Sequence, residues 1–536
     1  MGLVRPSVPE IVGTYQGYSL VRYRGSFHAI PQLAGPVDLN LEEECRHAGV
    51  LRGETCAKVQ ERINSVRDDD AVPIEFAGWL PIFECSGNCG RHPQFKHTAH
   101  PPSGYRFTCS APLRKHVPSL WQKSIGPFFQ QVGRIVQKST LLIRPFFGAV
   151  RGVSGVGVRD RIWVFSAVIR LLITLRRKGA GLGAILRFLQ SRHYQSQLLL
   201  ARHRGLVFLP SMPYTYGQNP WVIEIEDPTT LFYPLVQNGN TREMRLADSP
   251  YFPIIKALLE SKQCKGIITH MKSTARMVCK LFGSETIRDK VFYAPLGVKL
   301  PERWQRHDEG EKAEHINLLF TNSWHQMPGN FFLRGGLDVL AAFEVLHERY
   351  PHLRLTLRTH LPGLDVRYHR ILEKGWVRVI DRFSSAREME ALLTESHIFL
   401  LPAARVHIVS LLQAMAHGLA VVTSDGWGFE EYVTHGRNGL VVKGRYGKVS
   451  WEDEEAGMLR ENYAPMYRSD PKVVRGLVKA VSRLVENPGL RKRLGRTARL
   501  DVQTTYNLER WNAGLKEAFD RALSSPSAGA LIKRLP

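Results

Sequence analysis

The stretch Ile398–Val442 holds the clearest grouping of residues able to do chemistry. Its apolar run Ile398–Leu401 is a short buried strand stopped by Pro402. Leu411, Leu412 and Met415 fall on one face of a helix that Ser410 can cap and Gly418 closes, and the Val-rich run Leu419–Thr423 is the next strand. A strand, a loop onto a helix N-terminus and a second strand make a βαβ unit. Its loop offers backbone N–H groups and the positive end of a helix dipole, which suit a phosphate. Upstream, Ile316–Phe320 reads as a strand running into Thr321-Asn322-Ser323, and Arg334-Gly335-Gly336 opens the next helix. A guanidinium at that place can bind phosphate oxygens in a bidentate manner. Earlier still, Glu224-Ile-Glu226-Asp227 follows one strand and His270 ends another. Carboxylates and imidazoles at strand ends suit the orientation of a hydroxyl. Cys85, Cys89, His92 and Cys109 have the ligand types of a structural zinc site, in a spacing that matches no zinc-finger signature; small buried thiols and a loop histidine are the alternative.

The order of these pieces resembles the donor-binding half of nucleotide-sugar glycosyltransferases of the GT-B architecture. It is most similar to the retaining bacterial lipopolysaccharide and mannosyl transferases (glycosyltransferase family 4-like). Pro402, the run Gln413-Ala-Met-Ala-His-Gly418 and the run Glu431-Tyr-Val-Thr-His-Gly-Arg-Asn-Gly439 carry the resemblance, which spans roughly 205–523. It implies a nucleotide-diphosphate sugar as donor, a glycan or lipid-linked acceptor, retention of configuration, no required cofactor and no metal in the donor site. On this resemblance the donor-site candidates are Asn322, Ser323, Arg334, Gly335, Arg405, His407, Ser410, Leu411, Gln413 and Glu431, with Arg334-Gly335 standing where the family has a Lys-Gly pair. The family's Gly-Arg pair in the same loop has no counterpart. The candidates for the chemistry are Asp227, His270 and Glu431, the first two facing the acceptor. No nucleophile is implied, because the leaving phosphate can accept the incoming hydroxyl's proton. Two glutamates that the family places eight residues apart fall on Arg405 and Gln413. A cation cannot accept a hydrogen bond from a sugar hydroxyl, whereas the Gln413 amide oxygen can. The two replacements keep a non-catalytic sugar-nucleotide or glycan-binding subunit open as an alternative, beside a nucleotide-sugar epimerase.

Charge adds a second theme. The chain of 536 residues carries a net +24, and residues 85–223 hold 20 Lys/Arg against one acid, Asp160, a balance of +19. Within this region Arg161–Lys178 is apolar with flanking and interior cations, and Leu182–Arg204 is a second basic, Leu-rich run. Basic amphipathic helices suit an anionic membrane surface; the plainer alternative is a basic helix pair packed on the core. No nucleic-acid-binding motif accompanies the charge, so no nucleic-acid partner is expected. No run of 18 uninterrupted apolar residues is present, the N-terminus lacks a secretory signal, and seven cysteines do not form a disulfide framework. These features predict a cytoplasmic protein, peripheral at the inner membrane face.

The expected fold is α/β: a GT-B arrangement of two Rossmann-like domains facing a cleft, with an N-terminal α+β extension. Residues 1–110 form the extension, a hairpin and helix unit followed by the Cys/His-rich segment. Residues 111–204 are the basic helical region, 205–300 the acceptor-side domain, 301–523 the nucleotide-sugar domain with its closing helices, and 524–536 a tail. Residues 446–470 read as a polar, acidic insertion.

Overall fold

The computed structural model describes residues 9–15, 18–31, 37–66, 71–76, 101–108, 169–191, 205–210, 219–232, 241–301, 315–322, 329–381 and 386–524. Ser323, Cys85, Cys89, His92 and Cys109 lie outside them.

The extension opens with four antiparallel strands, β1 (Glu10–Tyr15), β2 (Tyr18–Tyr23), β3 (Ser26–Pro31) and β4 (Leu51–Gly53), in that spatial order. Arg24 and Gly25 connect β2 to β3 with φ of 47° and 78°, the left-handed pair that a two-residue turn needs to match strand twist. Leu20 and Ala29 of the sheet pack on Val59 and Ile63 of the helix Cys56–Val66.

The next sheet corrects the expected boundary. Strands β5 (Val72–Phe76) and β6 (Tyr105–Thr108), placed in the extension by sequence, join β7 (Leu206–Leu209), β8 (Trp221–Ile225), β9 (Cys264–Thr269) and β10 (Val291–Tyr293) in one parallel sheet of order β10-β9-β8-β7-β5-β6. The first domain therefore starts near residue 71, and the basic region is an excursion between β6 and β7. Residues 169–177 and Leu182–Ser191 of that region are helical. Leu171, Leu175, Ile185 and Phe188 are buried in the first domain's core, so this part of the basic stretch serves the fold. Among the described residues no helix is long and apolar enough to cross a membrane.

The second domain is a doubly wound sheet: β11 (Ile316–Thr321), β12 (Leu353–Arg358), β13 (Val377–Ile380), β14 (Ile398–Leu401), β15 (Ala420–Ser424) and β16 (Gly439–Val442), all parallel, in the order β13-β12-β11-β14-β15-β16. The order reverses between β11 and β14, and the crevice beyond the carboxyl ends of those two strands is where such sheets bind ligands. Continuous apolar strands between layers of helices account for the burial, because a parallel sheet is covered on both faces.

Two ties join the domains. The last helix, Leu508–Ser524, crosses back and buries Trp511, Leu515 and Phe519 against β5, β7, β8 and β9. At its approach, Gly297 lies so close to Asn507 that a Cβ would sit 2.0 Å from the Asn507 carbonyl oxygen. The second tie is the acidic insertion, which folds as an antiparallel hairpin, β17 (Ser450–Asp453) and β18 (Met458–Glu461). It leaves the second domain and docks on the first. Met458 enters the first domain's core, and Thr241 Oγ1 donates to the Leu459 carbonyl at 2.9 Å while accepting from Glu461 N at 2.9 Å. Gly457, with φ of 60°, abuts the helix Lys272–Phe282, where a Cβ would meet Leu281 N at 2.5 Å. The polar composition read from sequence is real, but the hairpin is a strap. Met458→Ala should cost about 2–5 kcal/mol in equilibrium denaturation, the range for emptying a core site; a loss below about 0.5 kcal/mol would mean that the hairpin rests on the surface.

Candidate functional site

Three arginines stand at the carboxyl ends of the second sheet, in opposite electrostatic situations. Arg405, in the loop after β14, is enclosed by carboxylates. Its Nη1 donates to Asp227 Oδ2 at 2.8 Å and to Glu461 Oε1 at 3.3 Å, and its Nη2 donates to Glu226 Oε2 at 3.4 Å. Asp227 and Glu226 follow β8 of the first domain, and Glu461 ends the strap. Tyr463 also donates to Glu461. Burial works against the guanidinium's charge, but Tyr463, Asp227, Glu461 and Glu226 hold its pKa well above the ordinary value. Arg405, expected to touch the donor, is instead the centre of an interdomain ion cluster. Asp227, expected to orient the acceptor, is fully buried and bonded to that arginine, and its Oδ1 accepts from Thr229 N at 2.8 Å.

Arg334 and Arg358 have no such enclosure. Arg334 is 3% exposed and Arg358 7% exposed, and among the described residues the Nε of each finds no hydrogen-bond partner. Arg334 Nη1 donates to Ser410 Oγ at 3.4 Å, and Arg358 Nη1 donates to the Asn322 carbonyl at 2.5 Å. Burial and then the charge of Arg358 push the Arg334 pKa down, with Glu226 opposing; burial likewise lowers Arg358, with Glu388 opposing. A guanidinium stays protonated, so the lowering measures how poorly the charge is compensated. Beside them Asn322 is 2% exposed with both Oδ1 and Nδ2 unpartnered. Two buried cations and an unused amide, at the ends of β11 and β12, form a cradle for an anion.

The local sequence builds this cradle. Gly335, with φ of 79°, lets the chain turn behind Arg334, and a Cβ there would strike the Pro402 carbonyl oxygen at 2.4 Å. Ala404 N donates to the Leu333 carbonyl at 2.9 Å, which fastens the loop after β11 to the loop after β14. The helix Ile408–Ala416 follows. His407, not Ser410, holds its N-cap position, and no side chain caps it. Ser410 lies in the first turn with its hydroxyl toward Arg334.

Residues 329–451, which contain Arg334, Arg358, Arg405 and the helix between β14 and β15, match the family model described as glycosyl transferases group 1. This segment is similar to glycosyl transferases group 1. A search of the curated proteins finds no match. Among solved structures the chain is similar to sucrose-phosphate synthase from Thermosynechococcus elongatus, with 15% identity over 60% of this chain and 74% of that one and a TM-score of 0.42. It is similar to a glycosyltransferase from Rickettsia africae, with 9% identity over 85% and 100% and a TM-score of 0.42. The C-terminal domain of LpcC, a glycosyl transferase group 1 family protein from Francisella tularensis, shares 14% identity over 39% of this chain and 95% of that one, with a TM-score of 0.28.

Around the segment similar to glycosyl transferases group 1, the remaining candidates fall into place as follows. Gln413 and His407 are half-buried on the helix beside the cradle, and Leu411 is fully buried in the core, leaving only its backbone to the site. Glu431 points across the cleft. It accepts from Lys272 N at 2.7 Å, Ser273 N at 2.9 Å and Ser273 Oγ at 2.6 Å, so it caps the helix Lys272–Phe282, whose own N-cap residue, Met271, supplies no side chain. His270, also expected at the acceptor, is fully buried in an ion pair with Glu224. Burial, the largest influence, lowers its pKa, but the charge and hydrogen bond of Glu224, with Glu226 and a backbone hydrogen bond to Ala294, together turn the balance upward. Among the described residues no group of three His, Cys, Asp or Glu side chains could hold a metal ion. Sequence reading missed Arg358 and Glu461, and named Glu226 only within the run Glu224–Asp227; an arginine closing the apolar strand β12 was the available signal for the first.

Because Asp227 and Glu461 are fully buried, Arg405→Met should destabilise the protein by about 3–5 kcal/mol, the cost of leaving buried charges unpaired. Adding Asp227→Asn should recover part of that loss in a double-mutant cycle by chemical denaturation. Additive effects would show that the two side chains do not interact.

Proposed function

We propose that the protein transfers a sugar from a nucleotide-diphosphate sugar to a glycan or lipid-linked acceptor, with retention of configuration. The observation that carries this reading is the poorly compensated pair Arg334 and Arg358, with Asn322, at the switch point of the second sheet, in the segment similar to glycosyl transferases group 1. A diphosphate would add the negative charge that burial leaves the pair short of. It would also meet the uncapped first turn of the helix Ile408–Ala416. When the glycosidic bond breaks, negative charge grows on the leaving diphosphate. Fixed guanidinium groups in a buried site stabilise that charge without reorganising. We assign the nucleoside end to Gln413, on the same helix, because its amide oxygen can accept from ribose hydroxyls. Asp227 and Glu431 then act by holding the two domains in register, His270 by its buried pairing with Glu224 inside the first domain, and none of the three has a direct part in the reaction.

The reading extends to location. Residues 85–223 carry most of the net charge of +24, and a cationic excursion between β6 and β7 suits the face of an anionic membrane, where lipid-linked acceptors are found. The attraction is electrostatic, because Leu171 and Leu175 are committed to the core. Flotation should show binding to anionic vesicles at low salt and release near 1 M salt, where the screening length falls to about 3 Å. Equal binding to neutral vesicles would contradict this placement.

Calorimetry and transfer assays with UDP-, GDP- and ADP-sugars test the function. One nucleotide-sugar should bind and turn over, and Arg334→Ala should weaken its binding about 10- to 100-fold, as expected for a lost charge-assisted hydrogen bond. Binding without turnover against a range of acceptors would favour a non-catalytic subunit, and unchanged affinity of the variant would remove Arg334 from the donor site.

A further inference from the structure

The ion cluster at the cleft contains one carboxylate that differs from the others. Arg405 is shared by Asp227, Glu461 and Glu226. Asp227 and Glu461 are fully buried, and each has a further donor, Thr229 N for the first and the Tyr463 hydroxyl for the second. Glu226 takes the longest bond, 3.4 Å through Oε2, and keeps 37% of its side chain accessible. Its Oε1 has no partner among the described residues. The backbone under it is firmly held, because its carbonyl accepts from Thr274 Oγ1 at 2.5 Å.

Glu226 also lies beside the anion cradle, because Arg405, which holds it, follows Ala404, whose N donates at 2.9 Å to the carbonyl of Leu333, the residue before Arg334. Burial raises the pKa of Glu226 and Arg405 opposes the rise, so the arginine keeps this part-exposed carboxylate of the opposite domain next to a ligand whose phosphates lie on Arg334 and Arg358. A carboxylate repels phosphate and accepts hydrogen bonds only, with two oxygens and about four lone-pair sites. The group that satisfies it is a neutral one rich in hydroxyls.

We propose that Glu226 is the binding residue for hydroxyls of the transferred sugar, contributed by the first domain and aimed by Arg405. This assignment rests on the nucleotide-sugar reading and refines it. The arginine in the loop after β14 does not contact the sugar itself. It fixes a carboxylate that does, and it neutralises the two buried acids around it.

The test separates the two ends of the donor. UDP, GDP and ADP, with their glucose and mannose conjugates, are titrated into the wild type and into Glu226→Gln, which keeps the shape and removes the charge. For the pair that binds, Glu226→Gln should lower nucleotide-sugar affinity about 10- to 100-fold and leave nucleoside-diphosphate affinity within about twofold. Equal loss for both ligands, or no loss for either, overturns the proposal, whatever happens to turnover. If Glu226→Gln does not fold, the wild type still decides. Among conjugates lacking single ring hydroxyls, at least one should bind more weakly by a similar factor, and a flat series overturns the proposal. If no nucleotide or conjugate binds the wild type, the functional reading itself falls; if they bind without this discrimination, only the role of Glu226 falls.

Discussion

Everything at the cleft depends on the cation at Arg405. It draws Asp227 and Glu226 from the first domain and Glu461 from the strap onto one guanidinium belonging to the second domain. Charges removed from water must be paired and hydrogen-bonded or they are costly. The two domains are therefore coupled: neither buried acid keeps its counter-ion if the cleft opens at this point. Glu431 repeats the device nearby, a second-domain carboxylate capping a first-domain helix.

The strap and the last helix supply the apolar part of the same coupling. Met458 and Trp511 enter the first domain from elements that belong in sequence to the second. Polar networks specify the register of the approach, and apolar anchors give it strength, because hydrophobic burial is non-directional. A hinge that opened the cleft widely would have to break both kinds of contact, so motion in this protein should be confined to small adjustments around Gly297 and Asn507 or to release of the strap.

Strands β11, β14 and β15 were legible in the sequence to within a residue, because a parallel sheet covered on both faces leaves continuous apolar runs such as Ile398–Leu401. The partners of Arg405 were not legible. Asp227 lies 178 residues away and Glu461 is 56 residues downstream, and no local pattern links them. The strap was read as a polar, acidic insertion because half of residues 450–461 are charged, and Met458, which enters the first domain's core, carries no periodic signal. Strand β5 was lost to the extension for a similar reason: it pairs with β7 at Ile74 and Leu206, across the whole basic excursion. Asp227 and His270 were singled out as strand-end groups suited to orient a hydroxyl, but their type alone could not distinguish a residue facing substrate from one buried in an ion pair.

Arginine identity by itself predicts little here; the number of carboxylates around each one decides its work. Arg405 has three, so an incoming phosphate would meet a guanidinium already saturated and would have to displace buried acids to reach it. Arg334 and Arg358 share no bonded carboxylate and are coupled unfavourably to each other, so an anion between them relieves repulsion as well as supplying hydrogen bonds. The same residue type thus ties the domains together in one place and opens a ligand site in another. The division follows from which strand ends carry acids: β8 ends in Glu224-Ile-Glu-Asp227 opposite β14, whereas β11 and β12 end in Asn322 and Arg358, with no acid between them. On the proposed reading, donor binding and domain coupling meet at Glu226, which the saturated Arg405 holds at 3.4 Å.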